Sequence, residues 1–167
     1  SSSASIGGTS VSGNTYAWTS KPTGFTSTSS NPSVSPTVTT TYTLTETITA
    51  TGCQKSNTVI VTVNPIPSAP TAGSNSPVCA TNTINLTAST VSGATYSWTG
   101  PNSFTSTLQN PSITNAASAN GGSYSVTVTV NGCTSSAAST SVTVNPLPNA
   151  NAGSAKTICS GSSATIG

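Results

Sequence analysis

The chain is 167 residues long, with three Lys, one Glu and no Arg, Asp or His, so only 2% of it is charged and its net charge is +2. That inventory excludes whole classes of function. Proton transfer and nucleophile activation need groups that titrate near neutrality or paired carboxylates, calcium sites need several carboxylates, and three isolated Lys cannot neutralise a run of phosphates.

Thr, Ser and Asn carry the solubility, and the apolar residues between them alternate too regularly for a disordered chain. Strands are signalled throughout, and no segment has the apolar spacing of a helix. Trp18 and Trp98 are either core residues or aromatic platforms for a glycan, while Phe25 and Phe104 cap the same cores. Core packing is the better reading, because a Trp on the strand after the first core strand is usual in immunoglobulin-like sandwiches. Strands are predicted over residues 42–50 and 57–63, joined by a turn at Thr51-Gly52. The Thr at 39, 41, 43, 45, 47 and 49 fall on one face of the first of them. Such a row would order water as an ice-binding surface does only if neighbouring strands repeated it, and Thr suits a solvated strand face in any case.

Glu46 shares parity with Tyr42, Leu44 and Ile48 and therefore points toward the core. A hairpin centred on Thr51-Gly52 makes Lys55 its diagonal neighbour, which predicts a Glu46–Lys55 ion pair near the sheet rim. A carboxylate-assisted Lys–Asn isopeptide bond is the sharper alternative. Asn64-Pro65-Ile66-Pro67 then forms an extended, semi-rigid linker.

Further strands are predicted over 83–89, 94–99, 123–130 and 136–144, with Ile84, Leu86, Tyr96, Trp98, Tyr124, Val126, Val128 and Val130 inward. Asn131-Gly132 favours the type I′ turn of a hairpin. Asn85-Leu86-Thr87 is a formal glycosylation sequon, but it falls within a strand. Asn145-Pro146-Leu147-Pro148 is a second linker, and Phe104 answers Phe25.

These correspondences are periodic. Trp18 and Trp98, Cys53 and Cys133, and Cys79 and Cys159 are each 80 residues apart, the mark of a tandem array. The expected organisation is an all-β string of immunoglobulin-like β-sandwiches. Residues 1–66 form a repeat lacking its first strand and Cys, 67–147 a complete repeat, and 148–167 the first strand segment of the next. Residues 161–167 match residues 1–7 at five of seven positions, which suggests a longer period of 160 residues.

Cys79 precedes the first core strand and Cys133 follows the hairpin turn, so a Cys79–Cys133 disulfide is predicted. It would close a 54-residue loop, worth about 4 kcal/mol in the chain-entropy model. Zinc is the poorer reading, because the chain has no His and no close Cys pair. A disulfide implies an oxidising, extracellular compartment. Cys53 and Cys159 are left to pair with an adjacent repeat or a neighbouring copy, either in a continuous polypeptide or in a strand-exchanged head-to-tail polymer sealed by Cys53–Cys159 bonds. No stretch reaches the roughly 20 apolar residues of a membrane span. Any export signal is expected outside these residues.

Several segments resemble the immunoglobulin-like and PKD-like repeats of large cell-surface and secreted proteins of Bacteroidota, including gliding-motility adhesins. They are Val78-Cys79, the run from Val91 to Pro101, Asn110-Pro111, Tyr124 to Val128, Asn131-Gly132-Cys133 and Val142 to Pro146, with Val11 to Trp18 and Gly52-Cys53 in the first repeat. The first repeat departs from the pattern by a longer stretch between Trp18 and Cys53. The resemblance implies outer-surface display, commonly through type IX secretion, in stalks and filaments that hold adhesive or enzymatic parts away from the cell. It implies no catalytic, cofactor or metal residues. Adjacent repeats, neighbouring copies and surface glycans are the partners it allows.

Overall fold

Thr, Ser and Val alternate along almost every segment that becomes a strand, placing hydroxyls on one face and apolar groups on the other. The computed structural model describes residues 2–165, and the chain falls into one unit ending at Pro65 and another beginning at Ile66.

The first unit contains β1 (Ala4–Ser5), β2 (Asn14–Lys21), β3 (Thr26–Ser27), β4 (Ser33–Val34), β5 (Thr40–Ile48) and β6 (Gln54–Val61). Four of them form an antiparallel sheet in the order β3-β2-β5-β6, and β1 pairs with β4. Ile6, Trp18, Val34 and Tyr42 are buried between these layers, with Ala4, Phe25, Leu44 and Val61 packed around them. The turn between β5 and β6 is longer than the Thr51-Gly52 pair alone. Ile48 N–H donates to the Cys53 carbonyl at 2.9 Å and Gly52 N–H to the Ile48 carbonyl at 2.8 Å, with Gly52 at φ 71°. This length shifts the expected register, so that Glu46 faces Lys55 directly rather than diagonally.

The second unit contains β7 (Ala72–Ser74), β8 (Val78–Cys79), β9 (Ile84–Ala88), β10 (Thr95–Gly100), β11 (Phe104–Ser106), β12 (Ser112–Ile113), β13 (Gly122–Val130), β14 (Cys133–Thr134), β15 (Ala138–Val142) and β16 (Val144–Asn145). One sheet runs β11-β10-β13, with β14 and β15 both pairing with β13. The other runs β12-β9-β7, and β8 lies parallel to β16. Ile84, Leu86, Trp98, Tyr124, Val126 and Val128 are fully buried between them. The architecture is that of an immunoglobulin-like sandwich.

The strand predicted over 136–144 starts only at Ala138 and breaks at Thr143, where pairing passes from β13 to β8; the late start has a local cause. Thr129 faces Thr134 but Val126 faces Ala138, so one extra residue sits on the β14–β15 side, a β-bulge. Ser135 turns inward there, its N–H donating to the Val128 carbonyl at 2.9 Å and its Oγ accepting from Val128 N–H at 3.1 Å.

Candidate functional site

The residues that tempt a functional reading fall into four groups. The aromatics form the first, and they build the same framework twice. Trp18 is 3% exposed and Trp98 0%. Trp18 Nε1 donates to the Ser29 carbonyl at 2.9 Å, and Trp98 Nε1 to the Gln109 carbonyl at 3.2 Å, in each case 11 residues on. Tyr16 Oη accepts from Val11 N–H, as Tyr96 Oη does from Val91 N–H. Phe25 meets Tyr42 edge-on with ring centroids 5.3 Å apart, and Phe104 meets Tyr124 edge-on at 5.4 Å. Buried rings tethered in this way cannot stack on a sugar. The glycan platform is thereby removed, and core packing accounts for both Trp.

Tyr124 completes a tyrosine corner: its Oη donates to the Asn120 carbonyl at 2.7 Å, four residues upstream. Val126 stands two residues later, where antibody domains carry the second Cys of their inter-sheet disulfide. Here that position is aliphatic and packs in one cluster with Leu86 and Trp98. Burial also pushes the Tyr124 phenol above its ordinary range. The raised value means that the unfolded chain deprotonates first, so the contribution is whole below about pH 10 and is lost as pH rises further. Denaturant titrations between pH 9 and 12 should show the second unit weakening, with a shallower decline in Tyr124→Phe, which itself costs about 1 kcal/mol at neutral pH.

The cysteines form the second group, and their placement corrects the predicted Cys79–Cys133 bond. Cys79 faces Asn145, just beyond the β15 end that meets Gly122, whereas Cys133 faces Val130 at the other end of β13. The nine residues of β13 lie between those ends, a span of roughly 25 Å, far beyond the roughly 7 Å limit for bridged Cα atoms. The two are not joined. The expectation failed because β8 runs away from the hairpin end before β9 begins, a direction that spacing alone does not reveal. Cys53 is exposed just past the β5–β6 turn, and Cys159 is exposed in the C-terminal segment. Thermal melts with and without reductant should superimpose, and Cys79→Ser should change stability by less than about 0.5 kcal/mol. A reductant-induced loss of several kcal/mol would refute this placement.

Glu46 and Lys55 form the third group. They are direct cross-strand partners, yet the carboxylate is hydrogen-bonded by Asn14, whose Nδ2 donates to Oε1 at 2.6 Å. In place of the predicted ion pair the half-buried carboxylate takes this hydrogen bond from β2, while Lys55 stands exposed on edge strand β6. Glu46 takes the place that the fully buried Val128 holds in the second unit, since Leu44 faces Trp18 as Val126 faces Trp98. The first core is correspondingly smaller and more polar.

The outer faces of the sheets are the fourth group, and neighbouring strands extend the Thr row of β5 across them. The Thr row of β5 lies between Thr15, Ala17 and Thr19 of β2 and Gln54, Ser56, Thr58 and Ile60 of β6. In the second unit Thr129 faces both Thr95 and Thr134, and Ser125 faces both Thr99 and Ser139. Three of these pairs, Thr45–Ser56, Ser125–Ser139 and Thr129–Thr134, share hydroxyl hydrogen bonds of 2.9 Å. Cross-strand hydroxyls therefore do the work that opposite charges do on most sheets. Only the register, not the one-dimensional pattern, brings them together. Among the described residues no cluster of three or more His, Cys, Asp or Glu exists, and no helix is long and apolar enough to cross a membrane.

No family model matches the chain, and no curated protein is significantly similar to it. Solved structures resemble it at low identity. The three N-terminal domains of the outer capsid protein Hoc of bacteriophage RB49 are 19% identical over 80% of this chain and 49% of that one, with a TM-score of 0.40, so this chain spans about half their length. An amphioxus IgVJ-C2 molecule is 17% identical over 84% of this chain and 96% of that one, with a TM-score of 0.41. Murine CEACAM1b is 18% identical over 80% and 85%, with a TM-score of 0.46.

Proposed function

We propose that the chain is a non-catalytic section of an extracellular stalk or filament, a string of immunoglobulin-like units that holds adhesive or other parts away from a cell. The observation that carries this reading is the duplicated framework. Trp18 and Trp98, Tyr16 and Tyr96, and Phe25 and Phe104 make the same contacts in both units. The chain repeats its interior and covers its outer sheet faces with hydroxyls. The scarcity of charge supports the same reading, since contacts between such surfaces are insensitive to salt.

The sequence likeness to Bacteroidota surface repeats extends the proposal to gliding-motility-type adhesins exported by type IX secretion. Under it, the exposed Cys53 and Cys159 are open to bonds with a neighbouring copy in an oxidising compartment. The test is immunogold labelling of source cells with an antibody against this chain. Gold on filaments outside the cell is the expected result, and gold confined to the cell interior would overturn the proposal.

A further inference from the structure

Asn is followed by Gly at two places in the chain, Asn120-Gly121 and Asn131-Gly132, both in the second unit. The pairing matters chemically, because the amide nitrogen after an Asn can attack the side-chain carboxamide carbon, and a Gly there puts no Cβ in the way. The same two residues stand at each site, and the structure around them differs.

Asn120-Gly121 is tied down at both reacting groups. Asn120 ends the single-turn 3-10 helix over Ser118–Asn120. Gly121 N–H, on the nitrogen that would attack, donates to the Ser118 carbonyl at 3.0 Å, and Asn120 Oδ1 accepts from Ala117 N–H at 2.9 Å. The Asn120 carbonyl also accepts from the Tyr124 hydroxyl at 2.7 Å. A Cβ placed on Gly121 would stand 3.2 Å from the Ser118 carbonyl oxygen, so the chain is closely packed there. Bringing Gly121 N onto Asn120 Cγ breaks these bonds and loosens the tyrosine corner.

Asn131-Gly132 is the tip of the hairpin between β13 and β14. Both residues are exposed and lie outside the strands, whose last pair is Val130 with Cys133. Asn131 at φ 48° and Gly132 at φ 79° have the left-handed conformations of a type I′ turn. A Cβ on Gly132 would meet nothing within 4 Å, so the space beside the nitrogen is open. Turning the Asn131 carboxamide onto it breaks no strand pair. The equivalent turn of the first unit has Thr51-Gly52, which lacks the carboxamide.

We propose that Asn131-Gly132 is a site of spontaneous covalent modification, deamidation through a cyclic imide. Gly132 N bonds to Asn131 Cγ, the Cγ–Nδ2 bond breaks, and the Gly132 amide proton leaves with Nδ2 as ammonia. Water then opens the imide at one of its two carbonyls, giving aspartate or isoaspartate, and no other reactant is consumed. The product carries a new carboxylate, which lowers the net charge of +2 by one in a chain whose one acidic side chain is Glu46. Isoaspartate also routes the main chain through Cβ, which adds a carbon to the tip and spoils the turn geometry that sets the hairpin register. The Val130–Cys133 and Thr129–Thr134 pairs are then the first to fray. None of this depends on the stalk reading.

Peptide mapping of the folded full chain, incubated at mildly alkaline pH, should show the amide-to-acid mass change at Asn131, with aspartate and isoaspartate separated chromatographically. Asn131 should react at least about tenfold faster than Asn120, whose reaction waits on local opening. In denaturing urea the two rates should converge, because the unfolded sites share the same dipeptide. Asn131→Gln, whose longer side chain closes the ring poorly, should remove the change at 131 and leave Asn120 slow. An Asn131 that stays intact in the folded chain, or that fails to outpace Asn120 by this margin, would overturn the proposal. A rate ratio that urea leaves unchanged would overturn it too, since the fold would then not be what separates the sites.

Discussion

Trp98→Ala is expected to unfold the second unit at room temperature. The indole is fully buried in one cluster with Leu86, Val126 and Val128, and its Nε1 tethers the Gln109 carbonyl. Removing a buried Trp costs about 3–5 kcal/mol through lost burial and the cavity left behind. A core in a unit this small supplies only about 3–5 kcal/mol in all, and no disulfide within the unit offsets the loss. Urea titration followed by circular dichroism would measure the change. Trp18 would then be the sole Trp, so its emission would report on the first unit alone. Retention of a cooperative transition with less than about 1 kcal/mol of loss would contradict the core described above.

Gly100→Ala is expected to be nearly as damaging, although it adds a single methyl group. Gly100 is at the end of β10 directly after Thr99, which faces Ser125, and the ring of Tyr124 lies over it. A Cβ at this position would overlap Tyr124 Cδ1 and stand 2.5 Å from Cε1. The ring cannot swing away cheaply, because its hydroxyl is tied to Asn120 and its edge meets Phe104. Overpacking of this kind costs about 1–3 kcal/mol. The first unit provides the internal control: Ser20 faces Tyr42 there, and its Oγ donates to the Pro22 carbonyl. That Oγ also accepts from Phe25 N–H at 3.1 Å, so Ser20→Ala should cost about 1–2 kcal/mol through the two bonds lost. Equal losses from the two substitutions would show that Tyr124 does not press on Gly100.

These two sites show what could be read from the sequence and what could not. The period of 80 residues, the inward parity of Ile84, Leu86, Trp98, Val126 and Val128, and the all-β class follow from spacing and alternation, which are properties of one dimension. The pressure of Tyr124 on Gly100 does not, because it depends on which strand lies opposite which. The same limit explains the other departures. The one-residue bulge at Ser135 redirects β14 and β15, and the longer turn after Ile48 moves Lys55 directly across from Glu46. The direction of β8 carries Cys79 away from Cys133.

The same aromatic framework is built in both units, each held by its apolar core and not by disulfides. Hydrogen–deuterium exchange of the full chain, resolved by peptide and repeated in reductant, tests it most directly. The account predicts slow exchange in β9, β10 and β13 of the second unit and in β2 and β5 of the first, unchanged by reductant, with fast exchange over residues 146–165. Fast exchange in β2 and β5, or protection in β13 that collapses when reductant is added, would contradict it.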